Sequence, residues 1–176
     1  MSYERGPGVR HWHSIGTLQA IWLPNLTVSS SSAVYPTADL AIYIPVVVAE
    51  PVVIRKLATA NGTAVSGNLD VGVYDARGTR LVSAGTTAQS GTTTEQVIDV
   101  TDATIGPGLF YLAVTLDNTT GTFFRGGPVA PLAASIGILS EQLGTGAALP
   151  STATWAVAQA LAYIPHIAML IEATAA

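Results

Sequence analysis

Apolar and polar residues alternate along the middle of this chain with a period of two, the period of a β-strand. From Asp39 to Val46, Leu40, Ile42, Ile44 and Val46 fall on one face, with Asp39, Ala41 and Tyr43 opposite. From Asn68 to Asp75, Leu69, Val71 and Val73 share a face against Asn68, Asp70 and Tyr74. From Leu109 to Asp117, Phe110, Leu112, Val114 and Leu116 do the same. Each such face can pack on a second sheet. Turn chemistry separates the runs: Ala49-Glu50-Pro51, Ala60-Asn61-Gly62, Ala76-Arg77-Gly78, Ser90-Gly91 and Gly106-Pro107-Gly108.

The pattern predicts strands at 40–48, 52–58, 68–75, 79–84, 95–100, 109–117, 122–125, 134–139 and 163–171. That is enough for an all-β, antiparallel two-sheet β-sandwich, jelly-roll-like, with an N-terminal arm. Residues 1–34 form the arm and first strand, and residues 35–176 the sandwich domain. Ser29 to Ser32 reads as a flexible polar joint between them. Thr152 to Ala162, Ala-rich and following Pro150-Ser151, is the best helix candidate. Asn-x-Thr triplets at Asn25, Asn61 and Asn118 read as turn chemistry, and Asn61-Gly62 as a hairpin.

Charge changes the picture. Only 10% of the 176 residues are charged, against about a quarter in an ordinary domain. From Gly126 to Ala176 the only acidic or basic residues are Glu141 and Glu172. Ten of the 18 charged residues lie between Glu50 and Asp102. Either the bare ends supply the inner strands of the core, or neighbouring molecules cover them. The second alternative predicts a homo-oligomer, with a trimer favoured. No basic run pairs with phosphates, so no nucleic-acid partner is expected. Ala153 to Ile171 has the length of a membrane span, but Thr154, Gln159, Pro165 and His166 interrupt it, so no membrane span is expected. The first residues lack the apolar core of a secretory signal. With no cysteine, disulfides and thiolate chemistry are excluded.

Four stretches carry a resemblance. They are Tyr35-Pro-Thr-Ala-Asp-Leu-Ala-Ile-Tyr-Ile-Pro leading into Val52-Val-Ile-Arg-Lys-Leu, then Gly67-Asn-Leu-Asp-Val-Gly-Val-Tyr-Asp-Ala-Arg-Gly-Thr-Arg-Leu, then Ile105-Gly-Pro-Gly-Leu-Phe-Tyr-Leu-Ala-Val-Thr-Leu-Asp-Asn, and later Ala148-Leu-Pro-Ser-Thr-Ala-Thr with Tyr163-Ile-Pro. The pattern resembles the jelly-roll virion structural proteins of tailed bacteriophages, of head-decoration, head-fibre or tail-fibre type. It is a pattern of strand and turn residues with no catalytic motif. The resemblance implies a location in the virion and contacts with other virion proteins. The same pattern is similar to carbohydrate-binding jelly rolls, which implies host-surface glycan as an alternative partner.

Chemistry-bearing residues are few. His11 and His13 share a strand face and with His166 would make a three-histidine metal site, yet nothing in the sequence brings His166 to them. Asp70, Asp75, Asp99, Asp102 and Asp117 offer oxygen ligands without calcium-loop spacing. No Gly-x-Ser-x-Gly motif is present, and Gly6-x-Gly8 and Gly144-x-Gly146 are not phosphate loops. No catalytic residue, metal or cofactor is therefore assigned, and the chain is expected not to be an enzyme. Trp12, Trp22 and Trp155 lie in the charge-poor ends and are the candidate interface anchors or glycan-stacking rings, with ordinary core packing as the alternative. The expectation is a non-enzymatic structural component of a phage virion, alternatively a carbohydrate-binding or host-attachment sandwich.

Overall fold

The computed structural model describes residues 12–16, 30–127, 134–144, 146–157 and 161–173. Among the described residues, fourteen strands run in chain order: β1 Trp12–Gly16, β2 Ser30–Val34, β3 Leu40–Val48, β4 Val52–Ala60, β5 Asn68–Asp75, β6 Arg80–Ser83, β7 Thr87–Ala88, β8 Glu95–Ile105, β9 Gly108–Leu116, β10 Thr122–Gly126, β11 Leu139–Gln142, β12 Ala156–Val157, β13 Ile164–Pro165 and β14 Ile167–Ala173. One long sheet has the order β12-β11-β3-β9-β5-β6, with β7 also on β5. A four-stranded sheet, β1-β14-β4-β8, and a three-stranded sheet, β13-β10-β2, make up the second layer. All the pairings are antiparallel, so the expected all-β class and two-layer packing hold.

The alternation places the core as expected. Ile42, Ile44 and Val46 of β3, Leu69, Val71 and Val73 of β5, and Leu112, Val114 and Leu116 of β9 are buried together. They meet Val52, Ile54 and Leu57 of β4, Ile167, Met169 and Ile171 of β14, and Phe123 of β10. Tyr35 fills the junction, edge-on to both Phe123 and Tyr163. The C-terminal strand β14, whose one charged residue is Glu172, thus lies between β1 and β4 with Ile167, Met169 and Ile171 in the chain's own core. The burial of those three side chains needs no neighbouring molecule.

Several expectations give way. Thr152 to Ala162 is not a helix where described: Ala156–Val157 is a strand paired with β11, and the residues before it are extended or bridged. Helix propensity is a weak preference, and here sheet contacts override it. Ser30 to Ser32 are not a joint but part of β2, whose register on β10 runs from Ser30↔Gly126 to Val34↔Thr122. Asn61-Gly62 is no hairpin turn. Asn61 is fully buried, bridges to Phe123 and donates to Ser90 O and Gln96 Oε1. Gln89 donates to Asn61 Oδ1 and Thr122 O, closing a polar network inside the sandwich. Burial also rules Asn61 out as a glycan acceptor. Asn118 does perform turn chemistry: its Oδ1 accepts from the amides of Thr120 and Gly121. Asn25 lies outside the described residues. The membrane-length stretch Ala153 to Ile171 contributes strands, and among the described residues no helix is long and apolar enough to cross a membrane.

Candidate functional site on the outer face of the long sheet

The side chains facing away from the core on β3, β9 and β5 were expected opposite the buried face, and much of that outer face is also dry. The segment 146–155, a strap, packs Leu149, Ala153 and Trp155 onto Ala41, Tyr43, Tyr74 and Ala113. Gly72 makes room for it: a Cβ there would sit 3.0 Å from Leu149 Cδ1 and from Val82 O. At Gly78 the backbone has φ +88°, a conformation suited to glycine, so the β5–β6 turn can close. Asp75 Oδ1 in that turn accepts from the amides of Arg77 and Thr79. The Thr79 amide and the others around it hold the Asp75 carboxyl below its ordinary range.

Polar side chains of the sheet fasten the strap along its length. Asp70, 1% exposed, accepts from Leu149 N at 3.0 Å and from Ser83 Oγ at 2.8 and 2.9 Å. Arg80 donates through its guanidinium to Leu149 O and through its amide to Ser151 O. Tyr74 donates to Pro150 O at 2.5 Å. Glu141 accepts from Tyr43 Oη at 3.0 Å and from the amide and hydroxyl of Thr154. Burial pushes the Asp70 carboxyl up, and the donors on it and nearby Arg80 only partly offset that. Burial likewise raises the Tyr43 and Tyr74 phenols, keeping them neutral donors.

Trp155 sits half-buried in a ring of tyrosines, its centroid 5.2 Å from Tyr43, 6.4 Å from Tyr74 and 4.7 Å from Tyr111. Its indole is therefore committed to holding the strap. Trp12 lies on β1 opposite Glu172, with its side chain outside the described set, and Trp22 lies outside the described residues. The strap stops short of the far end of the face. There Val47 and Leu109 are cross-strand partners, 59% and 42% exposed, next to the pair Pro45 and Tyr111. Cross-strand apolar pairs of this kind stabilise a sheet, but they are usually covered.

The other candidates disperse. His166 joins β13 to β14 and is half-buried, which lowers its pKa; His13 lies on β1 opposite Ile171, and His11 lies outside the described residues. Asp102 on β8 pairs with Arg55, and Asp117 binds Asn68 and Asn118. Among the described residues, no three His, Cys, Asp or Glu side chains cluster to hold a metal ion. Comparison of the chain with family profiles, with curated proteins and with solved structures finds no match to any of the three. The fold and site must therefore speak through their own chemistry.

Proposed function

We propose that this chain is a non-enzymatic structural component of a tailed-phage virion, a capsid-decoration, head-fibre or tail-associated protein. It acts as a homo-oligomer that docks onto other virion proteins through apolar surface. The observation that carries this reading is the uncharged, exposed pair of Val47 and Leu109 left open beyond the strap, beside half-buried Pro45 and Tyr111. Apolar area there gains roughly 25 cal/mol per Å² when a partner removes it from water, before association costs. The strand-and-turn pattern of residues 35–125 supports the phage assignment by resemblance. A glycan platform calls for a row of exposed rings. The described rings are instead buried (Tyr35, Tyr43, Tyr74, Phe123, Tyr163) or half-buried (Phe110, Tyr111, Phe124, Trp155), which favours the structural reading.

Quantitative mass spectrometry of purified particles tests this. The wild-type chain should be present in fixed stoichiometry, and a Val47→Lys/Leu109→Lys double variant should fail to incorporate while remaining folded. Particles without the chain, or full incorporation of the double variant, overturn the reading.

A further inference from the structure

A sheet edge exposes unpaired amides and carbonyls, and proteins guard such edges with charge, proline, brevity or a covering segment. The edges of this sandwich are guarded unequally. β8 is long, but Glu95, Asp99 and Asp102 stand exposed along it. β6 is covered by the strap, through Arg80 N to Ser151 O and the Thr79↔Thr152 bridge. β12 and β13 have two residues each, and β13 ends in Pro165. β2, by contrast, reads Ser30-Ser-Ser-Ala-Val34, without charge or proline, and Val34 is 56% exposed. Among the edge strands with described side chains, β2 alone carries none of these guards.

The pairing phase shows which groups β2 leaves free. Thr122, the partner of Val34, donates its amide to Ala64 O and accepts from Gly62 N, both away from β2. Phe124, the partner of Ser32, accepts from His166 N on the same far side. Those cross-strand pairs are therefore of the non-hydrogen-bonded kind, and the main-chain groups of Ser32 and Val34 point away from β10. Among the described residues they meet no hydrogen-bond partner.

We propose that β2 is the edge along which two copies of this chain join, antiparallel about a two-fold axis near Ser32. This rests on the self-association proposed above and names its joint. In that register Ser32 meets its own copy, Ser30 meets Val34, and about six main-chain hydrogen bonds form. The three-stranded sheets fuse into one. A second copy suits the edge because the facing strand is uncharged as well, whereas β8 meeting β8 would bring carboxylate against carboxylate. The two-fold makes a dimer the closed unit, where the sequence favoured a trimer.

Sedimentation velocity on the full chain, with hydrogen exchange, tests the joint. Wild type should dimerise at micromolar concentration, with slow exchange at the Ser32 and Val34 amides. Val34→Lys and Val34→Pro should raise the dissociation constant tenfold or more. Val97→Lys, which changes a comparably exposed residue on β8, should leave it unchanged. If wild type associates while the Val34 variants associate equally well, or those two amides exchange freely, the joint lies elsewhere and self-association survives. A trimer as the smallest assembly also overturns the two-fold. A monomer throughout the micromolar range overturns both the joint and the self-association.

Discussion

The two faces of the long sheet are both largely shielded from water, yet by different means. The inner face is Ile, Val and Leu against Ile, Met and Phe, held chiefly by shape and apolar area. The outer face carries tyrosines, a tryptophan, Asp70 and Glu141, and its cover is tied on by side-chain bonds to the strap's main chain. Apolar burial is non-directional, so it stabilises the layer without selecting one arrangement. Buried polar bonds are costly when misplaced, so they select where the strap lies.

The sharpest contrast comes from deleting volume inside. Leu112→Ala should cost about 2–5 kcal/mol, read as a lower urea midpoint, because the cavity forms where no water or polar group compensates. A loss under 1 kcal/mol would erase the distinction between the faces.

Removing a strap pin should cost less. Asp70→Ala leaves Leu149 N and Ser83 Oγ without their acceptor and should cost about 1–3 kcal/mol at neutral pH. Asp70→Asn keeps an acceptor for Leu149 and should fall well short of that. The two chains differ further in acid. The Asp70 pKa is raised in the folded state, so the folded state holds the proton more tightly than the unfolded one. Its contribution is complete below the ordinary value of 3.8 and is lost as pH rises through the folded pKa. Wild type should therefore gain on the Asn variant as the pH falls from 7 towards 4. Thermal melts with a pH-independent difference would show that burial does not govern this carboxyl.

The smallest effect belongs to a single phenol. Tyr74→Phe keeps the ring in its aromatic cluster and loses the hydroxyl's bonds to Pro150 O and to the Tyr43 hydroxyl, so about 0.5–1.5 kcal/mol is expected. A loss rivalling Leu112→Ala would mean that the outer face is not the secondary one.

This division also explains what could be read beforehand. Period-two alternation is local, so the inward residues of β3, β5 and β9 were recoverable from the sequence, as were the turns at Glu50-Pro51, Arg77-Gly78 and Pro107-Gly108. The strap depends on partners far apart along the chain, such as Asp70 with Leu149, and no local period encodes that. One signal was present: Gly72 in the middle of a strand marks a close approach from another segment. The Ala-rich composition around residue 156 pointed to a helix because small residues suit both helices and close sheet packing. Ser30 to Ser32 looked like a linker because an unguarded edge and a linker share the same polar, charge-free composition. Trp155 stood out in the sequence as an interface or glycan-stacking ring, with core packing as the alternative; the tyrosines it packs against come from three different strands, which no local pattern encodes.

The buried Asn61-Gly62 pair has a consequence for how the molecule ages. An asparagine followed by glycine is prone to cyclise on its own backbone and lose its amide nitrogen over time. Ser32 and Thr122 crowd the space where a side chain at residue 62 would go, so glycine cannot simply be exchanged for a safer neighbour. Here Gly62 N is engaged with Thr122 O, and the Asn61 amide is held by Ser90 and Gln96, so the attacking and attacked atoms are both restrained. The spot that would wear out first in an open loop is therefore kept chemically quiet, and the sandwich gains shelf life without changing its sequence.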